Sequence, residues 1–207
     1  LLDADLLRAV TLAVQSLDPT TLEVIKRRNI KFDKFGELVQ KFRNEKIENY
    51  TELIMGMPGE TLSSYKIGLE QLMELFPRPV VFIYNCGVFV NAPMNEPNYA
   101  KKYDIQTIKS PIYLWHSSVN NRGEIPEYED TIVSTNTFDL DELKEMYLFS
   151  WMVLSFHHLG IFEYIATFYK REHNLPLKKF YETVLEYSRT TESIFSKEYK
   201  KTIEHRD

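Results

Sequence analysis

Glu52-Leu53-Ile54-Met55-Gly56-Met57-Pro58-Gly59-Glu60-Thr61 is the stretch on which the fold turns. Residues 51–57 form an apolar run of strand character. Two glycines and a proline then close a tight turn. Beyond it Leu62, Tyr65, Leu69, Leu72, Met73 and Phe76 recur at the 3.6-residue period of a helix. The same change of period occurs upstream. Residues 10–16 are a short β-branched and apolar run, Asp18 offers a helix N-cap, and Pro19 suits the first helical position. That helix carries Leu22, Val24 and Ile25 and is expected to end near Asn29. A second helix over residues 33–44 lines up Phe35, Leu38, Val39 and Phe42. A third strand starts at Val80, after Pro77-Arg78-Pro79. Strands alternating with helices of this length argue an α/β fold with a parallel sheet.

After Phe89 the pattern weakens. Residues 91–136 hold many Pro, Asn and Tyr and read as mainly loop with short elements. Helices are expected over residues 141–158, stopped by Gly160, over 161–173, and from Leu177 onward with Phe180, Tyr181, Val184, Leu185 and Tyr187 as an apolar stripe. The division this suggests is 1–90 for the sheet-bearing part and 91–207 for a loop-rich, then helical, extension. The aromatics around Tyr147, Trp151, Phe156, Tyr164 and Phe168 are too dense for one helix face. They read as a helical core, or as surface that drives self-association.

Composition narrows the function. Of 207 residues 43% are hydrophobic and 27% charged, and the net charge is −5. No Lys/Arg run exceeds three residues, which disfavours a nucleic-acid partner needing many phosphate contacts. No apolar run approaches the roughly 20 residues of a membrane span. The start, Leu1-Leu2-Asp3-Ala4-Asp5, has neither a basic leader nor Met. The expectation is a cytoplasmic piece of a longer polypeptide. The single cysteine, Cys86, excludes an intrachain disulfide and a cysteine-built metal site. His157 and His158 are adjacent on an expected helix, point in different directions, and read as structural. Asn49-Tyr50-Thr51 matches a glycosylation sequon by chance, and no nucleophile-elbow, phosphate-loop or dinucleotide fingerprint is present.

In parallel βα folds the chemistry sits at the C-terminal ends of the strands. Alternation puts Thr11, Ala13 and Gln15 on one face of the first strand, opposite Leu12 and Val14. In the second, Glu52, Ile54 and Gly56 oppose Leu53 and Met55. If the bulky faces meet helices, the others present one amide and one carboxylate to a ligand with hydroxyl or amine donors. The plainer alternative has Gln15 bonded to backbone and Glu52 at the strand's exposed start. The Gly56–Glu60 turn lets ligand atoms approach backbone, and Glu60 at a helix start favours hydroxyl or amino groups over phosphate. A turn followed by a helix-start acid is the plainer account of the same residues.

Leu12-Ala13-Val14-Gln15-Ser16-Leu17-Asp18-Pro19, followed by Ile25-Lys26-Arg27-Arg28-Asn29, resembles the fourth strand and next helix of radical S-adenosylmethionine (radical SAM) enzymes. Residues 52–61 resemble their fifth strand and its turn, in the same order and at the usual separation. Ala92-Pro93-Met94-Asn95-Glu96-Pro97-Asn98-Tyr99, Lys102-Tyr103-Asp104-Ile105 and the tail with Phe180-Tyr181 are similar to the cobalamin-domain-linked branch.

The resemblance implies the C-terminal part of a TIM-like partial (β/α) barrel with a helical C-terminal extension. It implies S-adenosylmethionine, a [4Fe–4S] cluster and, in this branch, cobalamin as cofactors of the parent protein, with radical methylation or rearrangement of a small molecule as its activity. By position Gln15 or Ser16 would face the ribose, and Glu52 would bond its hydroxyls. Arg27 would pair with the methionine carboxylate, unless its charge serves only to end a helix. The turn Gly56, Pro58, Gly59 and Glu60 would pack beside the adenosine.

The family's Cys-x3-Cys-x2-Cys motif is missing, and Cys86 cannot stand in for it. The expectation is a fragment without catalytic or metal-ligating residues of its own, binding no cofactor tightly, whose first partner is the N-terminal half of its parent. A reading of another class, a non-catalytic α/β-plus-helical binding module, is told apart by whether a three-cysteine motif lies within about 100 residues upstream.

Overall fold

The computed structural model describes residues 9–75, 80–112 and 127–206. The expectations for Phe76, for residues 77–79 and for 113–126 fall outside them. In chain order the described elements are strand β1 (Val10–Gln15), helices α1 (Pro19–Val24) and α2 (Phe32–Asn44), strand β2 (Asn49–Met55), helix α3 (Leu62–Leu75) and strands β3 (Val80–Asn85) and β4 (Gly87–Val88). Then come helix α4 (Pro97–Lys102), strands β5 (Gln106–Pro111) and β6 (Tyr128–Ser134), and helices α5 (Leu140–Met152), α6 (Glu163–His173), α7 (Leu177–Thr190) and α8 (Ile194–Arg206).

Strands β1, β2 and β3 form the expected parallel sheet, in that order. Its apolar face is Leu12, Val14, Leu53, Met55 and Val81, all buried. The stripes read from the sequence meet there: Phe35 of α2 and Tyr65, Leu69, Leu72 and Met73 of α3 join the same core, with Leu38, Val39 and Phe42 packed against it. On the other face Ala13, Tyr50, Glu52, Ile54 and Phe82 are half-buried, and Thr11 and Tyr84 are exposed. Parallel sheets are ordinarily covered on both sides, so this face is the unusual one.

The loop reading of 91–136 is corrected. Within it β5 and β6 pair antiparallel, and β4 joins the far side of β6, giving a second three-stranded sheet in the order β4-β6-β5. Cys86 joins the sheets: its N–H donates to the Met55 carbonyl at 3.0 Å, and its carbonyl accepts from Ile132 N–H at 2.9 Å. Strand β4 lies before residue 90 and pairs with a strand after it.

The helical tail also differs from expectation. Asp139 caps α5 and reciprocates with Glu142 in a capping box. The helix then gives way, before His157, to a π-helical turn over Val153–His158. Gly160, at φ 77°, ends the segment as expected. Helix α5 packs on α3, α7, β2 and β6, with Met146, Leu148, Phe149 and Met152 wholly buried. Its charged residues lie in its first half, and from Met146 onward most positions are buried, as in a central core helix. Helix α8 was not anticipated.

Candidate functional site

The C-terminal end of β1 departs from simple alternation. Pairing runs Leu12↔Thr51 and Ala13↔Glu52, and then jumps to Gln15↔Leu53, so Val14 is an extra residue and the strand bulges. The Ser16 N–H donates to the Val14 carbonyl at 2.7 Å, closing a γ-turn about Gln15, whose φ is 59°. A γ-turn with positive φ is rare and strained for a side-chain-bearing residue. The face reading for Gln15 is corrected accordingly: the bulge sets it opposite Leu53 instead of continuing the row from Thr11 and Ala13.

Helix α1 ends at Val24, short of the expected Asn29, and Lys26 takes a left-handed conformation (φ 55°). Arg27 therefore lies beyond the helix, and its charge does not serve a helix terminus. The chain instead doubles back along β1. The Arg27 guanidinium donates from Nη2 to the Ala13 carbonyl (3.0 Å) and from Nε to Asn29 Oδ1 (3.2 Å). The Asn29 amide donates to the carbonyls of Val14 (2.8 Å) and Ser16 (2.7 Å), spanning the γ-turn.

The turn after β2 is held from inside. Gly56 (φ 82°) and Gly59 (φ 89°) need the left-handed region. A Cβ on Gly59 would stand 2.9 Å from Val24 Cγ2, and one on Gly56 would stand 3.0 Å from Leu143 Cδ1. Internal packing thus accounts for both glycines without a ligand. Pro58 and Gly59 are buried with their neighbours. Glu60 is only 2% exposed. Its Oε1 accepts from Ser16 Oγ at 3.0 Å and its Oε2 from Gly56 N–H at 3.3 Å. Burial outweighs those bonds and pushes the carboxyl up to about 8, with Asp18 adding to the rise. At neutral pH Glu60 is mostly protonated and tied to its own chain, unlike the helix-start acceptor for a ligand's hydroxyl or amino groups expected from the sequence.

Glu52 stands mid-strand on the open face of the sheet, half-buried, so the reading that put it at an exposed strand start is set aside. Tyr50 and Phe82 meet edge to face on that side, ring centroids 5.2 Å apart. The Tyr84 phenol is pushed up by burial, and further by Glu52 and Tyr50. Among the described residues neither Gln15 nor Glu52 has a side-chain hydrogen bond or ion pair. A free amide at the end of β1 and a free carboxylate midway along the neighbouring β2 fit a ligand rich in hydroxyl groups.

No cluster of metal-ligating side chains occurs among the described residues. Cys86 is 4% exposed, its thiol pushed up to about 12 by burial and then by Glu60. A single buried thiol does not fit a cluster needing three cysteines. His157 is buried and His158 half-buried, with Nδ1 of His157 2.8 Å from the Tyr181 hydroxyl. Asn29 is the residue of this site that sequence reasoning passed over. No local pattern marks it, because its partners lie 13 and 15 residues back.

No protein-family model matches the chain. It is 32% identical, over 189 residues, to the cobalamin-dependent radical SAM methyltransferase TokK of Streptomyces tokunonensis. It is 31% identical, over 185 residues, to 2-(S-pantetheinyl)-carbapenam-3-carboxylate methyltransferase of Streptantibioticus cattleyicolor. Each match covers 89% of this chain, which spans 27% of either relative's length. No helix among the described residues is long and apolar enough to cross a membrane. By these matches the chain resembles the C-terminal part of the cobalamin-dependent branch of the radical SAM enzymes.

Proposed function

We infer that this chain is part of a cobalamin-dependent radical SAM methyltransferase and forms one wall of its S-adenosylmethionine site. The observation that carries the reading is the Glu52 carboxylate, without a hydrogen bond or ion pair on the open face of the parallel sheet, with the equally unbonded Gln15 amide at the end of the neighbouring strand. Residues 1–90 are then the later part of a partial (β/α) barrel, and 91–207 its extension.

Gln15 and Glu52 bond the ribose hydroxyls, with Ser16 beside them. Arg27 has Nη1 left for the methionine carboxylate, since Nη2 and Nε are engaged within the chain. Gly56, Pro58, Gly59 and Glu60 shape the floor from beneath. The [4Fe–4S] cluster and cobalamin belong to other parts of the parent protein, which is also the partner that covers the open face. Joined to such a cluster, S-adenosylmethionine serves as a source of the 5′-deoxyadenosyl radical. The present residues bind and orient it, and the chain alone is inactive. The exposed Ile161, just before α6, and Tyr164 and Phe168 on it offer an apolar surface for self-association.

The test uses the longer protein, extended through a three-cysteine segment and reconstituted anaerobically. It is expected to be brown, to cleave S-adenosylmethionine, and to lose about tenfold in affinity for it on Glu52→Gln, the cost of one hydrogen bond to a charged group. The chain alone should bind it weakly. A colourless extended protein, or full affinity in the Glu52→Gln variant, overturns the reading.

A further inference from the structure

We propose that Asn29 is a positioning residue for this site: its amide holds the γ-turn at the end of β1 and thereby sets the direction of Gln15 and Ser16. The inference rests on the cofactor reading above but adds a residue with no ligand contact of its own. A side-chain-bearing residue at φ 59° is disfavoured locally. Left alone, Gln15 would relax to extended backbone and continue the strand, erasing the bulge after Ala13.

What opposes that relaxation is on both sides of the turn. The Val14 carbonyl accepts both the turn's own bond from Ser16 N–H, 2.7 Å, and the Asn29 amide, 2.8 Å. The other amide bond, 2.7 Å, reaches the Ser16 carbonyl, so one planar group fixes the distance across the turn. Arg27 orients that amide by donating to Asn29 Oδ1 and anchors the pair to the Ala13 carbonyl. The oxygen accepting from Arg27 also fixes which end of the amide faces β1. On the far side Ser16 Oγ donates to Glu60 Oε1 at 3.0 Å and accepts from Asp18 N–H at 3.2 Å. Ser16 is thus held at backbone and side chain alike, whereas Gln15, the apex, keeps a free amide. A strained apex with a free amide, over-determined by its surroundings, is the arrangement expected where geometry matters more than stability.

Two variants separate positioning from stability. Asn29→Ala removes the amide. Asn29→Asp keeps the size and the oxygen that accepts from Arg27, but loses both donors. In the 207-residue chain, nuclear magnetic resonance should show the Gln15 amide–α-proton coupling move from the left-handed toward the extended range in both variants, while signals from α3 and α5 stay in place. An unchanged Gln15 coupling in a folded Asn29→Asp chain overturns the proposal without reference to any ligand.

In the longer protein, Asn29→Asp and Gln15→Ala should each weaken S-adenosylmethionine binding about tenfold, and the double variant should be no weaker than either one. Additive losses would mean that Asn29 acts independently of Gln15, which also overturns it. Failure of the parent protein to bind S-adenosylmethionine would sink the cofactor reading, and the coupling measurement would still decide on Asn29.

Discussion

Replacing Phe149 by alanine should destabilise the chain by about 3–5 kcal/mol, a large part of the about 5–15 kcal/mol available to a domain. The ring is completely buried, on a helix whose Met146, Leu148 and Met152 are equally inaccessible. Its surroundings come from several elements, because α5 touches α3, α7, β2 and β6, so the cavity cannot collapse from one side. The Lys66 ammonium lies 5.3 Å from the ring centroid, and its contact with the ring would be lost as well. Urea unfolding measures the effect. Tyr164→Ala on α6, 68% exposed, is the control and should stay within about 0.5 kcal/mol. A Phe149→Ala loss under about 1 kcal/mol would mean that α5 is not the centre of the core.

Glu60→Gln should change how stability responds to pH. The carboxyl has an ordinary value of 4.5, retained when unfolded, and about 8 in the folded chain. The folded state therefore holds the proton more tightly, and its contribution is fully present below pH 4.5. It is lost progressively as pH rises to about 8. Over that window the loss from this group is on the order of 4 kcal/mol. Glutamine cannot ionise, can accept from Gly56 N–H, and can bond the Ser16 hydroxyl. The variant should match the parent chain near pH 5 and exceed it near pH 8.

His158 opposes this trend at the acid end. Burial and then the neighbouring His157 depress it to about 3, so its contribution is present above 6.5 and falls away as pH drops toward 3. Unfolding midpoints at a series of pH values test the Glu60 prediction. Equal pH dependence in parent and Glu60→Gln chains would place the ionised carboxylate in the folded state at neutral pH.

Local chemistry decided which parts of the fold were legible in the sequence. Asp18 and Pro19 announce α1, and the side chain of Asp18 does accept from Thr21 N–H at 2.8 Å. The stripe on α3 buries as its spacing requires. Strand β5 left no such mark. Five of its six residues are exposed, so no buried face imposes alternation on Gln106-Thr107-Ile108-Lys109-Ser110. The capping box at Asp139 and Glu142 was readable and would have corrected the start of α5. Val153–His158 carries no Pro or Gly to announce its wider turn. At the site, strand alternation put Glu52 on the open face but misplaced Gln15, because neither the bulge nor the γ-turn could be read from it. Gln is not a residue that favours positive φ, and the groups holding it there lie far off in sequence. Glu60 was visible as an acid in a turn, but its protonation comes from burial, against the bond from Ser16, 44 residues away, and a turn motif encodes neither.

The junction at Cys86 has a consequence of its own. Because its backbone serves one sheet through the N–H and the other through the carbonyl, the two hydrogen bonds cannot both survive a separation of the two sheets. Its thiol is also the only one in the chain and is shut away from solvent. Alkylation of that thiol therefore acts as a clock for the opening of the seam. Its rate should climb with denaturant as steeply as global unfolding does, the mark of two sheets that part only when the whole chain lets go.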